Sequence, residues 1–194
     1  MKAAIFLSTI LLAAGVRVGE AADFPLDPLS RLWIEGDSTL HRYSAEAKTF
    51  TIRSDASPSS FLEDAAAGHV NVWEVSVRVA DLTSGEKGLD KVMRRALKEK
   101  DFPDIKFVLT GYKTVPGEPP GFAAYGALTI AGQKQEILLP VEVNREPDRP
   151  ELVGSYKILM TDYGVQPPTF MGVIRAADAV TVRFRLVLPP AGPP

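Results

Sequence analysis

Apolar and polar residues alternate along most of this chain with the period of two that marks a half-buried β-strand. Over 70–82, Trp73, Val75, Val77 and Val79 share one face, and Glu74, Ser76 and Arg78 share the other. The same alternation places Ile105, Phe107 and Leu109 on one side of a strand over 105–112. It places Ile137, Leu139, Val141 and Val143 together over 135–144. It is cleanest over 179–188, where Val180, Val182, Phe184, Leu186 and Leu188 oppose Thr181, Arg183 and Arg185. Extended segments over 31–35, 39–53, 122–131 and 151–160 bring the count to eight. Over 39–53 both faces are mixed in polarity, so the pattern does not say which points inward.

Between these strands the punctuation is mostly short. Thr114 to Gly121 (TVPGEPPG), Gly132-Gln133 and Glu146 to Pro150 are turn sequences. Residues 54–68 read as a loop with a helical turn near 61–66. Residues 163–178 read as a long irregular passage carrying an exposed Phe170, Met171, Val173 and Ile174. Only within 83–112 does the period change. Leu89, Val92, Met93, Ala96 and Leu97 recur at helical spacing, with Lys91, Arg94, Arg95, Lys98 and Glu99 between them. One amphipathic helix in an otherwise β chain has to lie against the sheet. Alternation with one polar face indicates antiparallel strands. Eight such strands form a closed up-and-down barrel or a two-sheet sandwich, and the pattern leaves both open.

The N-terminus changes the setting. Lys2, a short apolar run from Ala3 to Val16, and the small residues Gly19 and Ala21 have the layout of a secretory signal peptide (1–21) cleaved after Ala21. About 173 of the 194 residues would remain, a size suited to one domain. No later segment is long and apolar enough to be a membrane anchor. The chain has no cysteine, so an exported product would hold its core without disulfides. A net charge of −2 argues against nucleic acid as a partner. The tail over 189–194 (PPAGPP) has nothing to order it.

No catalytic constellation stands out. His41 and His69 lack metal-ligand spacing, and no phosphate loop, nucleophile elbow or His-Glu-x-x-His sequence is present. The acid pairs Asp101/Asp104 and Glu63/Asp64 sit in polar surroundings and read as solvated charges. The expectation is a protein that is not an enzyme and uses no cofactor or metal. The basic residues of the helix read first as its solvated face. The sharper reading makes Arg94 and Arg95 a receptor for an anionic head group.

Four segments, in order, resemble the YceI family of lipid- or polyisoprenoid-binding secreted proteins. They are WIEGDSTLHRY (33–43), VSVRVADLTSGEKGLDKVMRRALKEKDFPDIKFVLTGY (75–112), GALTIAGQKQEILLPVEV (126–143) and MTDYGVQPPT (160–169). Two places depart from the common family form: the helix lacks its Arg-Asp-x-His-Leu sequence, and Met160 stands where Arg is usual. The resemblance implies an all-β domain over 30–188 with one helix, an eight-stranded antiparallel lipocalin-like β-barrel. It also implies a periplasmic or secreted carrier holding a hydrophobic lipid or isoprenoid inside.

The expected lining is Trp73, Val75, Val77, Phe107, Leu109, Leu139, Val141, Phe184 and Leu186, with Met93 and Leu97 from the helix and Phe170 or Met171 at the mouth. Burying roughly 0.8 kcal/mol per methylene would let a tail of about twenty carbons bind without a specific polar contact. A filled barrel that docks a membrane-protein partner through 163–178 is the alternative, and a homodimer is a candidate assembly.

Overall fold

The computed structural model of the chain describes residues 20–145 and 149–189, apart from the side chains of Arg145 and Phe170. The expected signal peptide up to residue 19 and the end of the tail from residue 190 lie outside the described residues.

The described residues form twelve strands and two helices. The strands are β1 (Ala22–Phe24), β2 (Arg31–Ser38), β3 (Arg42–Ala47), β4 (Thr51–Ser54), β5 (Trp73–Arg78) and β6 (Leu82–Thr83). They continue with β7 (Asp104–Val115), β8 (Gly121–Ile130), β9 (Gln133–Arg145), β10 (Pro150–Leu159), β11 (Thr169–Phe170) and β12 (Ile174–Val187). The helices are α1 (Phe61–Ala67) and α2 (Lys87–Ala96). Eleven strands follow one antiparallel path, β1-β4-β5-β7-β8-β9-β10-β12-β2-β3-β6, and β11 pairs only with β12.

This corrects the expected eight-stranded closed barrel with one helix. The architecture is a curled antiparallel sheet with more, shorter strands. Bends split two long extended segments, at 48–50 between β3 and β4 and at the 3₁₀ turn Val79–Asp81 between β5 and β6. Strands β1 and β11, of 3 and 2 residues, are too short for alternation to register. Helix α1, of 7 residues, spans under two turns and buries Phe61 and Ala65. It stops at Gly68, whose φ of 78° suits a residue without Cβ.

The bends also set the curl. Thr51 pairs with Ser76 and Ala47 with Leu82, and between them the Lys48 N–H donates to the Asp81 carbonyl at 2.9 Å. Segment β3–β4 thus runs alongside β5–β6 and draws the two ends of the path together around an interior.

Register fixes what faces that interior. Phe184 pairs with both Gly154 and Leu32, and Ile34 pairs with Val182 and Ala45, so these side chains share one side. Outside, Arg31 holds Glu46 at 2.7 Å, and Glu35 accepts from the Trp33 indole and the Arg183 guanidinium, both at 2.9 Å.

One end of the curl is filled. Phe24 of β1, Phe61 of α1 and Trp73 of β5 stack edge-on or tilted, with ring centroids 4.8 to 5.7 Å apart. Ile52, Val143, Leu152, Leu186 and Leu188 pack round them. At the other end lie α2, the β2–β3 turn and the passage from β10 to β12.

Candidate functional site

Between the aromatic plug and the far end lies a cavity of about 290 Å³. Strands β2, β3, β5 to β10 and β12 all contribute to its wall, and α2 covers part of it. The helix can do so because its apolar residues fall on one stripe: Leu89, Val92, Met93, Ala96 and Leu97 all face the cavity. The carboxylate of Asp90 anchors the start of α2. It accepts from the Ser84 N–H and hydroxyl, both at 2.6 Å, and from the Thr83 hydroxyl at 2.8 Å. Burial by itself would raise its pKa, but these donors and the charge of Arg94 hold it below the usual aspartate value.

The space stays open partly because three aromatic rings lie against the wall. Tyr43 covers Gly36, Phe107 covers Gly126 and Phe184 covers Gly154. Each ring occupies the volume a side chain would take, so it runs along the sheet instead of projecting inward.

Trp73, Val75, Val77, Met93, Leu97, Phe107, Leu109, Leu139, Val141, Phe184 and Leu186, read from the sequence as a lining, all stand on this cavity. The side chain of Phe170 lies outside the described residues. Met171 is 79% exposed and does not line the cavity. Arg94 and Arg95 do not reach the cavity. Arg94 turns back to the Leu82 carbonyl at 3.4 Å, and Arg95 is exposed.

Sequence reasoning did not find the contribution of β2 and β3. Leu32, Ile34, Tyr43 and Ala45 line the cavity, while Trp33 faces out and Gly36 faces in. An outward tryptophan and an inward glycine hide the alternation that would have marked this face. Their register against β12 is what reveals it.

Polar groups on the wall are few. Ser38, His41, Ser84 and Glu86 gather at the far end, where His41 and Glu86 are exposed and the cavity meets solvent. Tyr43, Tyr156 and Tyr163 also stand on the wall. Among the described residues none of their hydroxyls has a hydrogen-bond partner, whereas the Tyr112 hydroxyl accepts from the Val70 N–H at 3.3 Å. Burial raises the pKa of Tyr43, and it pushes Tyr163 up to about 12, helped by Tyr156 and Asp162 beside it. Both are therefore neutral donors at physiological pH. Among the described residues no three His, Asp or Glu side chains gather to hold a metal ion, and no helix is long and apolar enough to cross a membrane.

The YceI-like domain matches residues 37–188, from the end of β2 to the residue after β12. The chain belongs to the YceI family. Solved structures share its fold. BcnA of Burkholderia cenocepacia is 20% identical with a TM-score of 0.69, over 84% of this chain and 99% of that one. A polyisoprenoid binding domain from Saccharophagus degradans, implicated in plant cell wall breakdown, is 13% identical with a TM-score of 0.61, over 87% and 98%. The Campylobacter jejuni YCEI protein is 19% identical with a TM-score of 0.56, over 74% and 82%. No curated protein sequence matches this YceI-family chain.

Proposed function

We propose that this YceI-family protein binds and carries a hydrophobic ligand, a polyisoprenoid or a similar long-chain lipid, with its tail inside the cavity. The observation that carries this reading is the wall itself. A space of about 290 Å³, lined almost wholly by aliphatic and aromatic side chains, is costly to fill with water, which needs two to four polar partners per molecule. An apolar chain suits it, at roughly 0.8 kcal/mol gained per methylene buried before ordering costs. The neighbouring polyisoprenoid binding domain has the same fold, in keeping with this choice.

The free tyrosine hydroxyls add a second feature to the ligand. They suit one uncharged oxygen on an otherwise apolar molecule, such as an alcohol, amide or carbonyl. Nothing in the wall calls for a reaction, so binding rather than catalysis is the proposed role. The signal-like N-terminus supports a periplasmic or secreted setting for the carrier. A filled barrel acting only through its surface is the weaker reading, because it requires no internal space.

The two tryptophans provide the test. Trp73 stands on the cavity and Trp33 on the outer face. In a Trp33→Phe variant, titration with a C20 prenyl alcohol should shift and saturate the Trp73 emission, and mass spectrometry should find a lipid extracted from the native protein. Unchanged emission together with no extracted lipid would overturn the proposal.

A further inference from the structure

The three most exposed large hydrophobic side chains of the described residues are gathered at one place. Leu40 is 67% exposed, and Met171 and Val173 are each 79% exposed. Leu40 belongs to the turn between β2 and β3, and the other two form the turn between β11 and β12. The two turns are tied together: the Thr39 N–H donates to the Arg175 carbonyl at 3.0 Å, and the Arg175 N–H donates to the Thr39 hydroxyl at 3.2 Å. Ser38 and His41 on one turn, and Pro168 and Ile174 beside the other, line the mouth of the cavity. The apolar tips therefore stand on the rim of the opening.

The neighbourhood is basic. Arg42 and Arg175 flank the tips, and Lys87 and Lys91 project from the helix whose start forms another part of the mouth. All four are exposed. Asp37, 3.4 Å from Arg42, and the exposed Glu86 offset only part of this charge. Apolar tips set among cations match the interface of an anionic bilayer, where side chains enter the acyl boundary and lysine or arginine meets the phosphates.

We infer that the rim formed by Leu40, Met171 and Val173 docks the protein on an anionic phospholipid bilayer, mouth first. This rests on the carrier reading and gives it a loading step: a long-chain ligand leaves the bilayer directly into the cavity without crossing water. A bilayer is preferred to a protein partner because the patch is confined to two narrow turns at the opening. Narrow tips suit insertion between lipids better than a broad complementary contact.

The test is co-sedimentation of the full chain with vesicles of phosphatidylethanolamine and phosphatidylglycerol. The wild type should bind these vesicles, bind less at high salt, and bind pure phosphatidylcholine weakly. A Leu40→Ser, Met171→Ser, Val173→Ser variant should lose about tenfold in partition. Its thermal unfolding should be unchanged, because the three side chains are exposed. Uptake of C20 prenyl alcohol from solution, read by Trp73 emission, is measured alongside and should be equal in the two proteins. Absence of vesicle binding by the wild type, or equal binding by the variant, would overturn docking. Loss of uptake from solution with vesicle binding intact would instead sink the carrier reading alone.

Discussion

The ring of Phe107 lies across Gly126 on the neighbouring strand, so closely that a Cβ on Gly126 would sit 2.5 Å from two ring carbons. Phe184 covers Gly154 in the same way, with a Cβ 2.5 Å from its ring and 2.6 Å from the Pro140 carbonyl oxygen. A Cβ on Gly126 would likewise meet the Val108 carbonyl oxygen at 2.7 Å, so at both sites the ring must turn inward and the backbone must shift as well. Gly126→Ala and Gly154→Ala are each expected to cost about 1–3 kcal/mol, the usual scale of overpacking. Each should also weaken ligand uptake, because the displaced ring enters the cavity. Urea unfolding and Trp73 emission titrations check the two effects separately.

Filling the cavity by another route should separate binding from stability. Ala45 faces the interior from β3 and is 3% exposed. In Ala45→Phe the new ring is expected to take up free volume, at a stability cost no larger than the overpacking scale of about 1–3 kcal/mol. Uptake of prenyl alcohol should fall at least about tenfold, a loss of about 1.4 kcal/mol in binding. Equal uptake by this variant and the wild type would show that ligand binds elsewhere.

Tyr163 should make the protein sensitive to strong alkali. Its pKa rises to about 12 in the fold, chiefly through burial, against about 10 in an unfolded chain. Between these values the unfolded state loses a proton that the folded state keeps, so stability falls as pH rises. The contribution is fully present below about pH 10 and is lost as pH rises through about 12. Melting curves across this window should fall less steeply for Tyr163→Phe than for the wild type.

Asp90 should act at the acid end. Its pKa is held below the usual value, so its contribution is present above the unfolded value, about 3.9, and is lost as pH falls through the folded one. Asp90→Asn keeps the shape but removes the charge that the Ser84 and Thr83 donors meet. A cost of about 1–2 kcal/mol is expected at neutral pH, on the scale of a lost helix cap. The difference between variant and wild type should shrink below about pH 4. Thermal melts at matched pH values check both statements.

How far the sequence shows this fold depends on how strictly each strand alternates. Strands β5, β7, β9 and β12 carry aliphatic or aromatic residues at each position that lines the cavity. For that reason the sequence pattern alone marks Val75, Phe107, Leu139 and Phe184 as lining candidates, and all four stand on the cavity. The stripe on α2 is legible for the same reason at a different period. Strand β2 is opaque because its inward Gly36 and outward Trp33 reverse the expected polarity, and each makes sense only beside its neighbours, Tyr43 and Glu35. The bend at 48–50 has no glycine or proline to mark it, so β3 and β4 read as one segment. The free hydroxyls of Tyr156 and Tyr163 carry no sequence signal at all, since a tyrosine reads the same with or without a partner.

The packing of Phe24, Phe61 and Trp73 at the end opposite the mouth has a consequence for traffic. It makes the interior a dead end. A molecule held there could not be threaded through from one side to the other, so the proposed carrier would be a ferry and not a conduit. Departure must retrace arrival. A long molecule that slides in tail first keeps its head outermost throughout the journey, where whatever takes delivery can grip it.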